Sequence, residues 1–576
     1  MRSRSIPSTL SSSAIAAALT AALATTATAQ LGERAIPGTY AITGARIVPV
    51  SGPIIERGTI VIRDGLIAAV GATVAAPADA RIVEGAGLTI YPGLIDGLSN
   101  VGVPAARQQG GGGFGGLFLA QQSGPQQPPA PSAPNSQHPL GLQPELRIID
   151  VVKFEGDALD GVRGAGITTA LASPRDGIFM GQSALINLAG GTAQDMLVRS
   201  PVALHVGFTP LRAGGYPNSL MGVFASLRQM LLDAQRYRDL QAAYARNPRG
   251  MRRPEADASL AALVPALSKE MPVIMMANSQ REIERALDLA TEFGLRVYIA
   301  GGEEAWMIAD RLKKDNVPVI ATLNFPRRSA NTTDDADPEP VRVLQSRVDI
   351  PRNPGKLAGA GVRLAFTSGG MGSMADFLTN VRKAVEDGMP RDQAIRALTL
   401  TPAELYGVSD RLGSIEAGKI ANLTVVRGDL LDRAGRVTQV FIDGRPIAVR
   451  APAADNGSAN AASGTWTVTA TFAEGDRTVT LSLTQEGERL RGTMQGALGT
   501  GEIGNGSLGA NGDLRFTATV TLGGTSEEAT FTGTLTGNVM RGSIQIVGHP
   551  NGTFVGTRPD AGGRGAGRPQ GQRPPQ

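Results

Sequence analysis

The stretch YPGLIDGLSN, residues 91–100, separates two kinds of sequence. Before it, residues 40–90 alternate apolar and polar positions and turn at Asp64-Gly65, the pattern of short antiparallel strands. After it, from Leu146 to about Leu400, GITTALASP, QSALINLAG, MPVIMMA, LRVYIAGG, VPVIATL and VRLAFTSGG read as strands. Between these lie SLRQMLLDAQRYRDLQAAYAR, REIERALDLATEFG and AWMIADRLKKDN, which carry helical periodicity. Strands alternating with helices imply βα units and a parallel sheet. The run through LIDG is then the first strand of a barrel or open sheet, and its C-terminal end delivers side chains to a site.

The rest of the chain divides by composition. Residues 38–90 and 413–450, the latter turning at Asp443-Gly444, are both strand-rich and form one composite β unit flanking a core at 91–412. Within that core, residues 104–145 are rich in Gly, Gln and Pro and read as a low-complexity insertion, too poor in apolar surface to offset chain entropy. A linker at 451–463 leads to an all-β segment, 464–558, with turns every 8 to 12 residues, hence a sandwich or small barrel. There LTQEGERLRGTM and LTGNVMRGSI resemble a repeated hairpin, and residues 559–576 form a Gly/Pro/Gln-rich tail.

The 576 residues include 42% hydrophobic side chains, enough for a sizeable core, and no cysteine. A formal charge of +4, with Arg558, Arg564, Arg568 and Arg573 around the tail, leaves no nucleic-acid footprint. Arg2 and Arg4, the apolar run IAAALTAALA and Ala27-Thr28-Ala29 form a signal-peptide pattern over residues 1–29. Cleavage near Ala29 and export to the periplasm or medium are expected, and no stretch is long enough for a membrane span.

Taken in order, VIRDGLIAAVG, YPGLID, ALTLTPAELYGV and GSIEAGKIANLTVV resemble the metal-dependent amidohydrolase superfamily over roughly residues 40–450. The resemblance implies an α/β fold, a distorted (β/α)8 TIM barrel carrying a small β-sandwich built from both flanks, with a separate all-β domain behind it. That last domain resembles lipocalin-like modules. Members of the superfamily hold divalent metals through a His-x-His pair on the first strand, histidines on the fifth and sixth, and an aspartate after the eighth, so that a bound water ionises near neutrality. At the matching positions this chain has Leu98 and Asn100, Met276, Gly301 and Gly369. None is a useful ligand for a first-row metal.

Other groups remain as pocket candidates: His205 in SPVALHVGF, Glu303 beside Glu304, and Ser368 and Gly370 in TSGG. Ser99, Ser368 and Ser373 are hydroxyls on expected exposed loops and candidate nucleophiles, Ser373 rather as a helix cap, while His138 reads as a surface histidine and His205 as a hydrogen-bonded core one. Asp96 reads as local structure at the strand's end. These features predict an exported amidohydrolase-fold protein with a degenerate metal site and no cofactor, a pseudoenzyme. It would bind a small molecule or support an active relative as a homo- or hetero-oligomer. The rival expectation is a hydrolase of C–N bonds, of the amidase, dipeptidase or cyclic amidase type.

Overall fold

A computed structural model describes residues 38–104, 136, 138–154, 159–211, 216–326, 339–371, 373–449, 462–472, 475–486, 489–508, 513–522, 525–536, 538–546 and 552–558. The expected signal peptide, most of the 104–145 stretch, most of the linker and the tail lie outside these residues. The chain divides into two compact units, residues 1–449 and 450–576.

In the first unit, β1 (Tyr40–Ile47), β2 (Ile55–Arg63), β3 (Leu66–Gly71), β4 (Arg81–Glu84) and β5 (Leu88–Pro92) are followed by the α/β region. The chain then returns with β16 (Leu423–Arg427), β17 (Arg436–Ile442) and β18 (Arg445–Ala448). All eight share one sheet, in the order β18-β17-β16-β5-β1-β2-β3 with β4 beside β1. β5 is the join, parallel to β1 and antiparallel to β16. Both Asp-Gly pairs are tight turns at positive φ, 51° and 82° at Asp64 and Gly65, 50° and 72° at Asp443 and Gly444. Ile42, Ile60, Ile90, Leu423 and Phe441 fill the buried face. The composite β unit expected from the two flanks is therefore present.

The α/β region contains β6 (Leu94–Ser99), β7 (Ile167–Ala172), β8 (Phe179–Gln182), β9 (Ala184–Asn187), β10 (Leu197–Arg199), β11 (Leu204–Val206), β12 (Val273–Ala277), β13 (Val297–Gly301), β14 (Val319–Thr322) and β15 (Leu364–Thr367). Its helices are α1 (Asp160–Gly164), α2 (Leu220–Arg246), α3 (Ala258–Leu267), α4 (Gln280–Phe293), α5 (Ala309–Lys314), α6 (Val341–Gly359), α7 (Ala375–Glu386), α8 (Arg391–Leu398) and α9 (Leu400–Leu405). From β11 to β15 successive strands pair in parallel, as do β6 and β7.

A regular (β/α)8 order fails at the third position. β8 pairs antiparallel with β11, and β9 pairs antiparallel with β7. Only residues 173–178 separate β7 from β8, too few for the crossover of a dozen or so residues that a parallel return requires. Hydrogen bonding consequently divides into a four-stranded sheet, β10-β9-β7-β6, and a six-stranded one, β15-β14-β13-β12-β11-β8. Ser183 joins them: its N–H donates to Ala203 O at 3.0 Å and its carbonyl accepts from Val202 N at 2.9 Å.

Alternate strand residues face two different cores. Ile95, Leu171, Leu185, Ala203, Ile274, Ala300, Ile320 and Ala365 pack on one another inside the strands. Their neighbours Val273, Ile299, Val319 and Phe366 pack under Leu263, Leu287, Leu357 and Phe377 of the helices. Burial on both faces is why these strands read as unbroken apolar runs. Leu142 and Ile148 are also buried, so packed chain resumes before the end of the expected 104–145 insertion.

The second unit is a closed eight-stranded antiparallel barrel: β19 (Gly464–Phe472), β20 (Gly475–Glu486), β21 (Arg489–Gly496), β22 (Gly499–Leu508), β23 (Asp513–Leu522), β24 (Thr525–Thr536), β25 (Val539–Ile546) and β26 (Gly552–Thr557). β26 pairs back onto β19, which decides for a barrel over a sandwich. The repeated hairpin is part of a larger repeat with an offset of 50 residues: Trp466 faces Leu481 as Phe516 faces Phe531, and Thr484 faces Arg491 as Thr534 faces Arg541. Aliphatic side chains such as Leu481, Leu514 and Ile544 fill the interior together with Trp466, Phe516, Phe531 and Phe554, and Phe516 and Phe531 are stacked at 4.6 Å.

Candidate functional site

β6 and β15 lie side by side without belonging to one sheet, so side chains make the seam. The Ser368 N–H donates to Asp96 Oδ1 at 2.9 Å, and the Ser368 hydroxyl donates to Asp96 Oδ2. Thr367 Oγ1 donates to Leu98 O and accepts from Gly369 N at 2.8 Å. Asp96 is 0% exposed. Burial raises its pKa from 3.8 to about 6, against the bonds from Ser368 and the Leu98 amide, which lower it. Ser99 and Ser368, expected on exposed loops, are instead buried at the strand ends. Their hydroxyls serve backbone and carboxylate rather than solvent.

The positions matched to metal ligands lie at or just past the C-terminal ends of four strands, β6, β12, β13 and β15. Leu98 is 6% exposed and packs in the inner apolar core. Asn100, half-buried, accepts from Arg175 Nη2 at 2.9 Å through its carbonyl. Gly369 lies against Leu98: a Cβ there would sit 3.3 Å from Leu98 O. Met276 is half-buried against the inner core, on the strand paired with that of Gly301. Gly301 has φ +95°, and a Cβ on it would lie 2.0 Å from Asn278 Oδ1. No side chain fits there while Asn278 holds that place. Among the described residues no three His, Asp or Glu side chains converge as a metal site. The donor set at these positions, an apolar side chain, an amide, a thioether and two glycines, does not suit the divalent ion of the superfamily.

Around this point stand groups with chemistry of their own. Glu304 Oε2 accepts from Gln280 N at 2.9 Å, next to the capping box in which Ser279 and Glu282 start α4. Glu303, half-buried, has its pKa raised by burial and then by the charges of Glu304 and Glu282. Lys356 Nζ lies 3.4 Å from the centroid of the Trp306 ring, and Asn353 Nδ2 donates to Gly302 O at 2.8 Å. Gly370 is exposed at φ +81°. Ser373, expected to cap α7, stands one residue before the N-cap Met374, which has no side-chain cap bond; its Oγ accepts from Ala375 N at 3.3 Å, a local turn rather than a cap.

His205 faces inward on β11 between Gly181 and Ile274. It is 0% exposed, and neither ring nitrogen has a hydrogen-bond partner among the described residues. Burial lowers its pKa to about 3, so it is neutral. The expected hydrogen-bonded core histidine is thus buried but unpartnered. His138, expected at the surface, is partly buried and its Nε2 lies 3.4 Å from Asp257 Oδ2 at the start of α3. Thr367, Asn278 and Asn353 escaped sequence reading because single hydroxyls and amides carry no motif; only their places beside strand ends mark them.

Comparison with known proteins agrees with this architecture. Residues 297–447 match the sequence model of the amidohydrolase family. Adenine deaminase of Moorella thermoacetica is 38% identical over 68 residues, 12% of this chain and 11% of that protein. N-acetylglucosamine-6-phosphate deacetylase of Haemophilus influenzae is 46% identical over 55 residues, 9% of this chain and 14% of that protein. The chain thus spans only about a tenth to a seventh of the length of these relatives. The crystal structure of an amidohydrolase from Thermotoga maritima superposes with a TM-score of 0.58 at 22% identity, covering 71% of this chain and 99% of that one. The strand-and-helix order and the flanking β sheet are thus the fold of that amidohydrolase, and residues 297–447 are similar to the amidohydrolase family, while the matched metal positions of this chain carry no histidine.

Proposed function

We propose that this chain is an exported amidohydrolase-fold protein that binds a small molecule at the C-terminal ends of its strands without metal-assisted hydrolysis. The observation that carries the reading is the Gly301–Asn278 contact, where the amide of Asn278 occupies the space that a side chain at 301 would need. Leu98 in the apolar core supports it from the first strand. A protein of this kind acts by binding, either alone or as a subunit beside an active relative. The test is metal content of the purified mature protein, followed by turnover of dipeptides and cyclic amides with and without zinc. The expected result is substoichiometric metal and no zinc-dependent turnover; stoichiometric metal with metal-dependent hydrolysis overturns the reading.

A second reading keeps hydrolysis of C–N bonds, and one group favours it. Glu303, half-buried with a raised pKa, stands beside the matched positions as a carboxylate able to take a proton. Turnover on the same panel that is lost in Glu303→Gln would establish this reading over the first.

A further inference from the structure

The opposite ends of the strands hold a second recess. A cavity of about 480 Å³ opens at the N-terminal ends of β12 to β15, beside the chain that follows α9. That volume is in the range of small-molecule sites. Arg199, Arg296 and Arg363 line it, with the largely buried Tyr298 and Tyr406 and apolar Val202 behind them. Burial raises the pKa of Tyr298, while the charges of these same three arginines lower it. Their positive field therefore reaches one point.

The arginines are poorly compensated. Arg199 Nη1 donates to Tyr406 O at 2.8 Å and Gly407 O at 3.0 Å, which fixes the guanidinium but leaves its charge unpaired. Arg296 Nη2 donates to a backbone carbonyl, Glu270 O, at 3.3 Å. Arg363 has no side-chain hydrogen bond or ion pair among the described residues. Two of the three carboxylates in the wall are engaged elsewhere, Asp315 with Arg311 at 3.6 Å and Glu404 with Arg396 at 3.5 Å. Glu270 alone remains against three cations. Guanidinium groups are weakly hydrated planar forks that match the two oxygens of a carboxylate or phosphate.

We propose that this recess binds a small organic oxyanion, its carboxylate or phosphate held by Arg199, Arg296 and Arg363 and its apolar body set against Val202 and Tyr298. The site is on the face opposite the strand ends that carry the matched family positions, so it is independent of binding or hydrolysis at those ends.

Calorimetric titration of the full-length protein with benzoate, with phenyl phosphate and with inorganic phosphate at low ionic strength tests this. One saturable site is expected, weakened at least tenfold in Arg363→Gln and in Arg296→Gln and partly kept in Arg363→Lys. The tighter of benzoate and phenyl phosphate identifies the head group. Absence of saturable binding, equal affinity in Arg363→Gln, or reproduction of the heat by chloride at matched ionic strength overturns the proposal. Both arginines are exposed, and thermal unfolding of each variant separates loss of binding from loss of fold.

Discussion

Asp96 accepts two hydrogen bonds from Ser368, one from its N–H and one from its hydroxyl, across strands that share no backbone ladder. A carboxylate so bonded would ordinarily have a depressed pKa. Here burial wins, because the group is wholly enclosed and no cation offsets its charge.

The consequence is a definite slope of stability with pH. With a folded pKa of about 6 against about 3.9 unfolded, the folded state keeps a proton that the unfolded chain has lost. Stability from this group is complete below about pH 4 and is lost as pH rises through about 6, by about 3 kcal/mol. Asp96→Asn keeps an acceptor for the Ser368 amide and a donor for its hydroxyl, but cannot ionise. Urea unfolding at pH 4.5 and 7.5 should show the variant gaining on the parent by about 2 kcal/mol at the higher pH, the rest of the effect lying below pH 4.5; parallel values at both pH values would contradict it.

Gly301 gives a second, local prediction. At φ +95° with Asn278 Oδ1 in the Cβ position, Gly301→Ala should lose about 2–4 kcal/mol, combining backbone strain of about 1–3 with displacement of the amide. Asn278→Ala in the same chain removes the collision and leaves only the strain. A double-mutant cycle should therefore show a coupling of about 1 kcal/mol or more. Additive single effects would mean that Asn278 does not hold the place of a side chain at 301.

These two sites mark where sequence reading stops. The flanking β unit was legible because Asp64-Gly65 and Asp443-Gly444 are hairpin turns wherever they occur between alternating runs. The parallel strands were legible because both of their faces are buried. The antiparallel third position was not, since QSALINLAG is apolar in either direction and only the short 173–178 connection betrays its sense. Leu98 and Gly301 could be named as departures from a metal site, but that Asn278 fills the space at Gly301 depends on a backbone angle. Likewise Asp96 passes for strand-end structure until Ser368, 272 residues away, is placed against it.

His205 should make the fold acid-sensitive. Its folded pKa of about 3 lies below the unfolded value of about 6.5, so its contribution is present above about pH 6.5 and is lost as pH falls towards 3. At pH 5 the loss is about 2 kcal/mol. His205→Leu keeps similar bulk and removes both unpartnered nitrogens, so it should stabilise at pH 7.5 and stabilise further at pH 5. Guanidinium melts at the two pH values measure this; a variant less stable than the parent at pH 5 would show that the imidazole is bonded after all.

The two units can be followed separately, because the chain has only 2 tryptophans and one stands in each. Trp306 is half-buried beneath the Lys356 ammonium in the first unit. Trp466 is fully buried in the barrel of the second, its Nε1 donating to Ala462 O at 2.8 Å. The interior cores of the two units contain no residue in common, and each closes its own hydrogen-bonded sheets. Trp306→Phe leaves fluorescence that reports only the barrel, and Trp466→Phe leaves only the first unit. Urea unfolding should give two midpoints that differ between the variants, with the parent showing both. If one unit is also destabilised by Asp96→Asn at pH 4.5, it should be the one read by Trp306; a barrel midpoint that shifts with Asp96 would mean that the two units unfold as one.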